Sequence, residues 1–148
     1  MLENTRFTDV PEKRESKNNL ELAKYVLQNY EHDTDRLDEA LSWFRISANE
    51  VYPFFCGGEL CFLRLAPAEE KNFHDIQGEI EFIRYLRSCG YPAMEPILAK
   101  NGKYCLSLDT PWGRYYACAF RRVSGKPMEE VEMNDAVLYE YGAALGRL

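Results

Sequence analysis

The chain has 148 residues, 46% of them hydrophobic and 14% aromatic, which is enough for one folded domain with a sizeable core. Its formal net charge of −6 and pI near 5.0 argue against a nucleic-acid surface, which needs clustered Lys and Arg. No apolar run approaches the ~20 residues that span a bilayer, and the polar, mixed-charge residues 1–10 do not read as a signal peptide. The five cysteines (Cys56, Cys61, Cys89, Cys105, Cys118) form no CxxC, and His32 and His74 are the only histidines. Structural zinc needs about four closely spaced nitrogen or sulfur ligands. The sequence therefore predicts no metal site and reads the thiols as buried and reduced in a cytoplasmic protein.

The first periodic element is a helix over residues 16–30, with Leu20, Ala23, Val26 or Leu27, and Tyr30 on one face and Ser16 as its N-cap. A polar connection follows over residues 31–35. Residues 41–46 read as a strand, 47–50 as a turn and 51–56 as a second strand. Gly57-Gly58 signals a hairpin whose return strand covers residues 60–65. The clearest helix runs over residues 72–88, where Phe73, Ile76, Ile80, Ile83 and Leu86 repeat at helical spacing and Cys89-Gly90 closes it. Residues 97–99 and 104–108, joined by Asn101-Gly102, read as a second hairpin. A strand over 115–120, a polar link over 121–127 and a helix from about Met133 complete the order. Short hairpin connections predict an α+β domain with an antiparallel sheet of five or six strands and one long packed helix.

Residues 141–148 read Tyr-Gly-Ala-Ala-Leu-Gly-Arg-Leu, small and apolar to the last position with no capping residue. This pattern predicts that the helix continues in a longer parent protein. The face carrying Val137, Leu138, Tyr141 and Leu145 is then expected to be exposed and open to self-association.

Arg64 lies inside an apolar strand between Leu63 and Leu65, where an unpaired cation is costly. Glu79, fifteen residues on, sits near the helix–sheet boundary and is a candidate partner. Spacing alone also allows an arginine that points to solvent, unrelated to Glu79.

Three segments carry a resemblance: Asn49-Glu50-Val51-Tyr52, Leu63-Arg64-Leu65, and Ile76-Gln77-Gly78-Glu79-Ile80-Glu81-Phe82-Ile83-Arg84-Tyr85-Leu86. Together they resemble the N-terminal lobe of the aminoglycoside phosphotransferase superfamily, protein-kinase-like enzymes that phosphorylate small molecules. Residues 117–125 resemble the family's last sheet strand and hinge. Residues 139–148 resemble its Gly-x-x-Leu-Gly-x-Leu-His helix, stopping one residue before the histidine. The resemblance implies a division into an N-terminal helical extension (1–36), a kinase-like lobe (37–120), and a hinge with the start of a second lobe (121–148).

It also implies a nucleotide cleft. Arg64 stands where the family's strand lysine contacts phosphates, and Glu79 where a helix carboxylate orients it. Arginine is a departure, since its planar fork reaches farther and binds in a different geometry. Phe62 stands where an aromatic ring can stack on adenine, though ordinary strand core explains it too. Phe120 would close the back of the pocket. The backbone groups of Arg121 and Val123 would bind the adenine edge, a role any side chain permits. Asn49 and Val51 belong to the hairpin where the family's glycine-rich phosphate cover lies; the turn here has no glycine.

The family's catalytic base and metal ligands lie in a His-Gly-Asp-x-x-x-x-Asn-type segment and a later Asp, none of which occurs in this sequence. The implied activity is transfer of a γ-phosphate from ATP or GTP, with Mg2+, to a hydroxyl of an aminoglycoside, homoserine, choline-like or sugar-like acceptor. The chain by itself is expected to be inactive and to hold no cofactor tightly, and neither nucleic acid nor membrane is an expected partner. Two alternatives stay open: a non-catalytic nucleotide-binding or structural member of the same fold, and a self-contained α+β protein-interaction domain.

Overall fold

The computed structural model describes residues 15–42, 45–46, 50–126 and 128–148. Helix α1 (Glu15–Leu27) is followed by a 3-10 turn (Thr34–Arg36), a short helix α2 (Leu37–Leu41), and strands β1 (Arg45–Ile46), β2 (Glu50–Cys56) and β3 (Glu59–Pro67). Helix α3 (Phe73–Ser88), strands β4 (Pro96–Ile97), β5 (Cys105–Thr110) and β6 (Gly113–Arg121), a 3-10 turn (Met128–Glu130) and helix α4 (Asp135–Gly146) complete the chain. The fold is α+β. The strands form one six-stranded antiparallel sheet in the order β1-β2-β3-β6-β4, with β5 also paired to β6.

Alternation along β3 decides what lies on each face. Cys61, Leu63 and Leu65 point to the face covered by α1, where Leu22, Val26, Leu27 and Tyr30 are buried with Tyr52, Phe54, Ala117 and Ala119. Each fully buried aliphatic side chain there contributes about 1.5–3 kcal/mol, so α1 belongs to the main core. Phe62, Arg64 and Ala66 point to the opposite face, across which α3 packs Ile76 and Ile80 against Ala66, Cys105, Cys118 and Phe120.

The tight turns follow from their residues. Gly57 and Gly58 both take positive φ (60° and 79°), as a two-residue hairpin turn requires. The Asp33 carboxylate accepts from their N–H groups at 2.9 and 2.7 Å. Asn72 caps α3 by accepting from the His74 N–H at 2.9 Å. Gly90 (φ 83°) ends it, with the Tyr91 N–H donating to the Leu86 carbonyl at 3.0 Å.

Several expectations change. Leu41 and Ser42 are not strand: Leu41 closes α2, where it is buried with Ala40. Trp43 and Phe44 lie outside the described residues, and β1 is two residues long. Ser16 lies inside α1, which starts at Glu15. Asn101-Gly102 does turn the chain, with the Ala99 N–H donating to the Lys103 carbonyl at 2.9 Å, but β4 and β5 do not pair. Both pair with the long strand β6, and the true hairpin is β5–β6. Of the cysteines, all free, Cys61, Cys105 and Cys118 are buried, Cys56 is half-buried and Cys89 is exposed.

Helix α4 starts at its cap Asn134, whose side chain accepts from the Val137 N–H at 3.0 Å, and buries none of its residues. Leu138, Tyr139, Tyr141 and Leu145 are exposed, and Val137 is half-buried. No helix among the described residues is long and apolar enough to cross a membrane.

Candidate functional site

Strand register brings the polar residues together. Val51, Arg64, Cys118 and Cys105 stand opposite one another across β2, β3, β6 and β5. Pro53, Phe62, Phe120 and Pro96 form the neighbouring row, two residues nearer the end at which β6 leaves the sheet. Both rows lie on the α3 face. Glu79, one residue before the buried Ile80, reaches the edge of that helix–sheet contact and meets Arg64 there.

The two form a fork-to-fork pair. Arg64 Nη1 donates to Glu79 Oε1 at 2.6 Å, and Nη2 donates to Oε2 at 3.0 Å. The arginine side chain is 18% exposed and the glutamate 45%. Burial pushes against the charged guanidinium, but the Glu79 carboxylate outweighs it and holds the Arg64 pKa above its ordinary value. The guanidinium carbon also lies 5.4 Å from the centre of the Phe120 ring, within cation–π reach. The cation is thus held in one geometry by a carboxylate, a neighbouring aromatic face and the strand beneath it.

Beside this pair opens a cleft of about 380 Å³, lined among others by Arg64, Glu79, Lys71, Asp75 and Cys118. Lys71 is exposed at its mouth. Burial raises the Cys118 pKa above its ordinary value, although Arg64 pulls it down. The thiol is therefore protonated, and a protonated thiol is a weak nucleophile. No group of three or more His, Cys, Asp or Glu among the described residues is placed to hold a metal ion.

The candidates from sequence fall into three places. Val51, Phe62, Arg64, Glu79 and Phe120 share the cleft face, with Phe62 half-buried and Phe120 buried. Arg121 stands opposite Cys61 and so directs its side chain to the other face, while Val123 lies exposed beyond the end of β6. Asn49 lies outside the described residues. Sequence reasoning missed Cys118, Tyr116 and Lys71 as cleft residues. The alternation Tyr116-Cys118-Phe120 along β6 was the available signal for the first two.

An antiparallel sheet whose strand cation is held by a carboxylate from a helix packed on the same face is the architecture of a kinase-like N-terminal lobe. No protein-family model and no curated protein matches the sequence. Solved structures do. Amicoumacin kinase hAmiN, solved in complex with AMP-PNP, Ca2+ and Ami, is similar at a TM-score of 0.74 and 21% identity, over 90% of this chain and 41% of that one. The microcompartment-associated aminopropanol kinase is similar at a TM-score of 0.65 and 20% identity, over 86% of this chain and 40% of that one. At such identity the likeness shows the fold, that of a kinase-like N-terminal lobe. The chain spans about two-fifths of the length of either kinase.

Proposed function

We propose that this chain is the nucleotide-binding lobe of a phosphotransferase that moves the γ-phosphate of ATP or GTP to a hydroxyl of a small molecule. The observation that carries the reading is the Arg64–Glu79 fork at 2.6 and 3.0 Å, set beside a cleft on the α3 face of the sheet. Phosphoryl transfer depends chiefly on positioning and charge neutralisation. Arg64 supplies a permanent cation to the phosphates, and Glu79 aims it. Phe62 offers an aromatic surface to the base, and the buried Phe120, opposite it on β6, closes the back of the pocket. The backbone of Arg121 and Val123 offers hydrogen-bonding groups to the base edge. In this reading Asn49 and Val51 also contribute to the phosphate site, Val51 from its place beside Arg64 on β2.

This reading puts the general base and the Mg2+ ligands in residues beyond this sequence. Alone, the chain binds nucleotide only weakly and transfers no phosphate. The acceptor is a small alcohol of the aminoglycoside, homoserine, choline or sugar type; the two similar kinases are named for amicoumacin and aminopropanol. In this reading the protein works in the cytoplasm.

Calorimetric titration of the chain with AMP-PNP and Mg2+ tests the proposal. Saturable binding is expected, and Arg64→Ala should weaken it about tenfold or more, since a hydrogen bond to a charged group is worth about 1.5–3 kcal/mol. Absence of binding, or binding indifferent to Arg64→Ala, would sink the reading.

A further inference from the structure

If only the backbone of Arg121 mattered, its side chain would be free to point anywhere, yet it is tied on both sides. Its Nη1 donates to the Glu59 carboxylate at the start of β3, and its Nε lies 3.4 Å from Glu95 Oε1, just before β4. The other Glu95 oxygen lies 3.6 Å from Arg87 Nη2 in the last turn of α3, and Arg87 Nη1 donates to the Ala93 carbonyl at 2.6 Å. The backbone repeats the pattern. The Arg121 N–H donates to the Glu95 carbonyl at 2.9 Å, and the Arg122 N–H to the Leu60 carbonyl at 3.1 Å. The point where β6 leaves the sheet is thus fastened to β3, to the segment before β4 and, through Arg87, to α3. Beyond it, residues 122–126 are exposed.

We propose that Arg121, with Glu59, Glu95 and Arg87, forms a set of positioning residues that fixes how residues 121–123 present their backbone to the nucleotide base. This inference rests on the nucleotide-lobe reading. It departs from the sequence-based expectation that any side chain serves at position 121. Exposed ion pairs are individually weak, and the β3–β6 ladder holds the strand without them. The network therefore acts on the direction in which the chain leaves the ladder, and its loss shows in base binding more than in melting temperature. It leaves the phosphate end untouched, because Arg64 and Glu79 lie on the opposite face.

The test compares the full chain with Arg121→Met, Glu95→Gln and the double variant. Amide exchange is read by NMR, and each protein is titrated with AMP-PNP and with inorganic tripolyphosphate. Arg121→Met should speed exchange at the Arg121 and Arg122 amides while leaving those of Ala117 and Ala119 unchanged. Each single variant should weaken AMP-PNP about fivefold, the scale of one exposed ion pair, with no change for tripolyphosphate. The double variant should lose less than the product of the singles, because the two side chains share one contact. Arg121→Lys, which keeps the charge but not the fork, should recover part of the loss. Unchanged exchange in Arg121→Met, or equal losses for the two ligands, overturns the proposal. If the unsubstituted chain binds neither ligand, or both equally, the base-binding reading falls, and the exchange data still decide whether the network positions the segment.

Discussion

Replacing Glu79 with Gln keeps the shape of the side chain and removes the charge that Arg64 is paired with. An exposed ion pair is worth about 0–1 kcal/mol, whereas stripping one partner from a buried pair costs about 3–5 kcal/mol. Here the arginine is mostly covered, at 18% exposure, while the glutamate is 45% exposed and partly hydrated. The cost should fall between those limits, at about 1.5–2 kcal/mol, much of it the penalty of a half-desolvated guanidinium left with one weaker acceptor. For a chain of this size about 1 kcal/mol moves the melting temperature by about 2–4 °C, so Glu79→Gln should melt about 3–8 °C lower. Arg64→Met should cost less, because it removes the covered charge and leaves a carboxylate that water can reach. Urea and thermal denaturation of both variants decide the matter. If Glu79→Gln costs less than about 0.3 kcal/mol while Arg64→Met costs more, the guanidinium is not held by Glu79, and the argument that the pair aims the cation fails.

Tyr30 is fully buried, and its hydroxyl has no hydrogen-bond partner among the described residues. Burial pushes its pKa far above the ordinary tyrosine value. Tyr30→Phe should therefore stabilise the chain by about 1 kcal/mol; a loss of that size in thermal melts would reveal a partner for the hydroxyl. The Gly58 and Gly57 N–H groups hold the Asp33 pKa below its ordinary 3.8. A lowered folded-state pKa means stability that is present above 3.8 and is lost as pH falls through the folded value. The gap in melting temperature between the original chain and Asp33→Asn should close on acidification, and a gap that is constant with pH would refute the clamp. The exposed Leu138, Tyr141 and Leu145 on α4 predict concentration-dependent self-association in sedimentation. Leu138→Glu with Tyr141→Glu should abolish it, and a strictly monomeric original chain at high concentration would count against that surface.

What could be read from the sequence follows from how local each signal is. β2, β3, β6 and α3 carry period-two or helical patterns over six or more residues, and Gly57-Gly58 names its own turn. Helix α2 was hidden because five residues are too few to show a helical period, and Leu41 reads on into the apolar run up to Ile46. Asn101-Gly102 is a stronger hairpin signal than Pro111-Trp112, so the β5–β6 pairing was given to the wrong neighbours. For Arg64, spacing left solvent and Glu79 open. Register decides between them, since Arg64 opposes Val51 and Cys118 on the face that α3 covers.

Arg121 lay deeper, because Glu59 is 62 residues away in sequence and becomes a neighbour only through the β3–β6 ladder. The same ladder makes β6 the strand that separates two charge clusters. Phe120 reaches the Arg64–Glu79 side, and the next residue, Arg121, reaches the Glu59–Glu95 side. The clusters share no ion-pair partner, so the stability costs of Glu79→Gln and Arg121→Met should add within about 0.5 kcal/mol. Their effects on nucleotide should also divide: Glu79→Gln weakens tripolyphosphate and AMP-PNP alike, and Arg121→Met weakens only AMP-PNP. A coupling above about 1 kcal/mol in the stability cycle would mean that the strand transmits strain through Phe120. The cation and the base-binding backbone would then be one device rather than two.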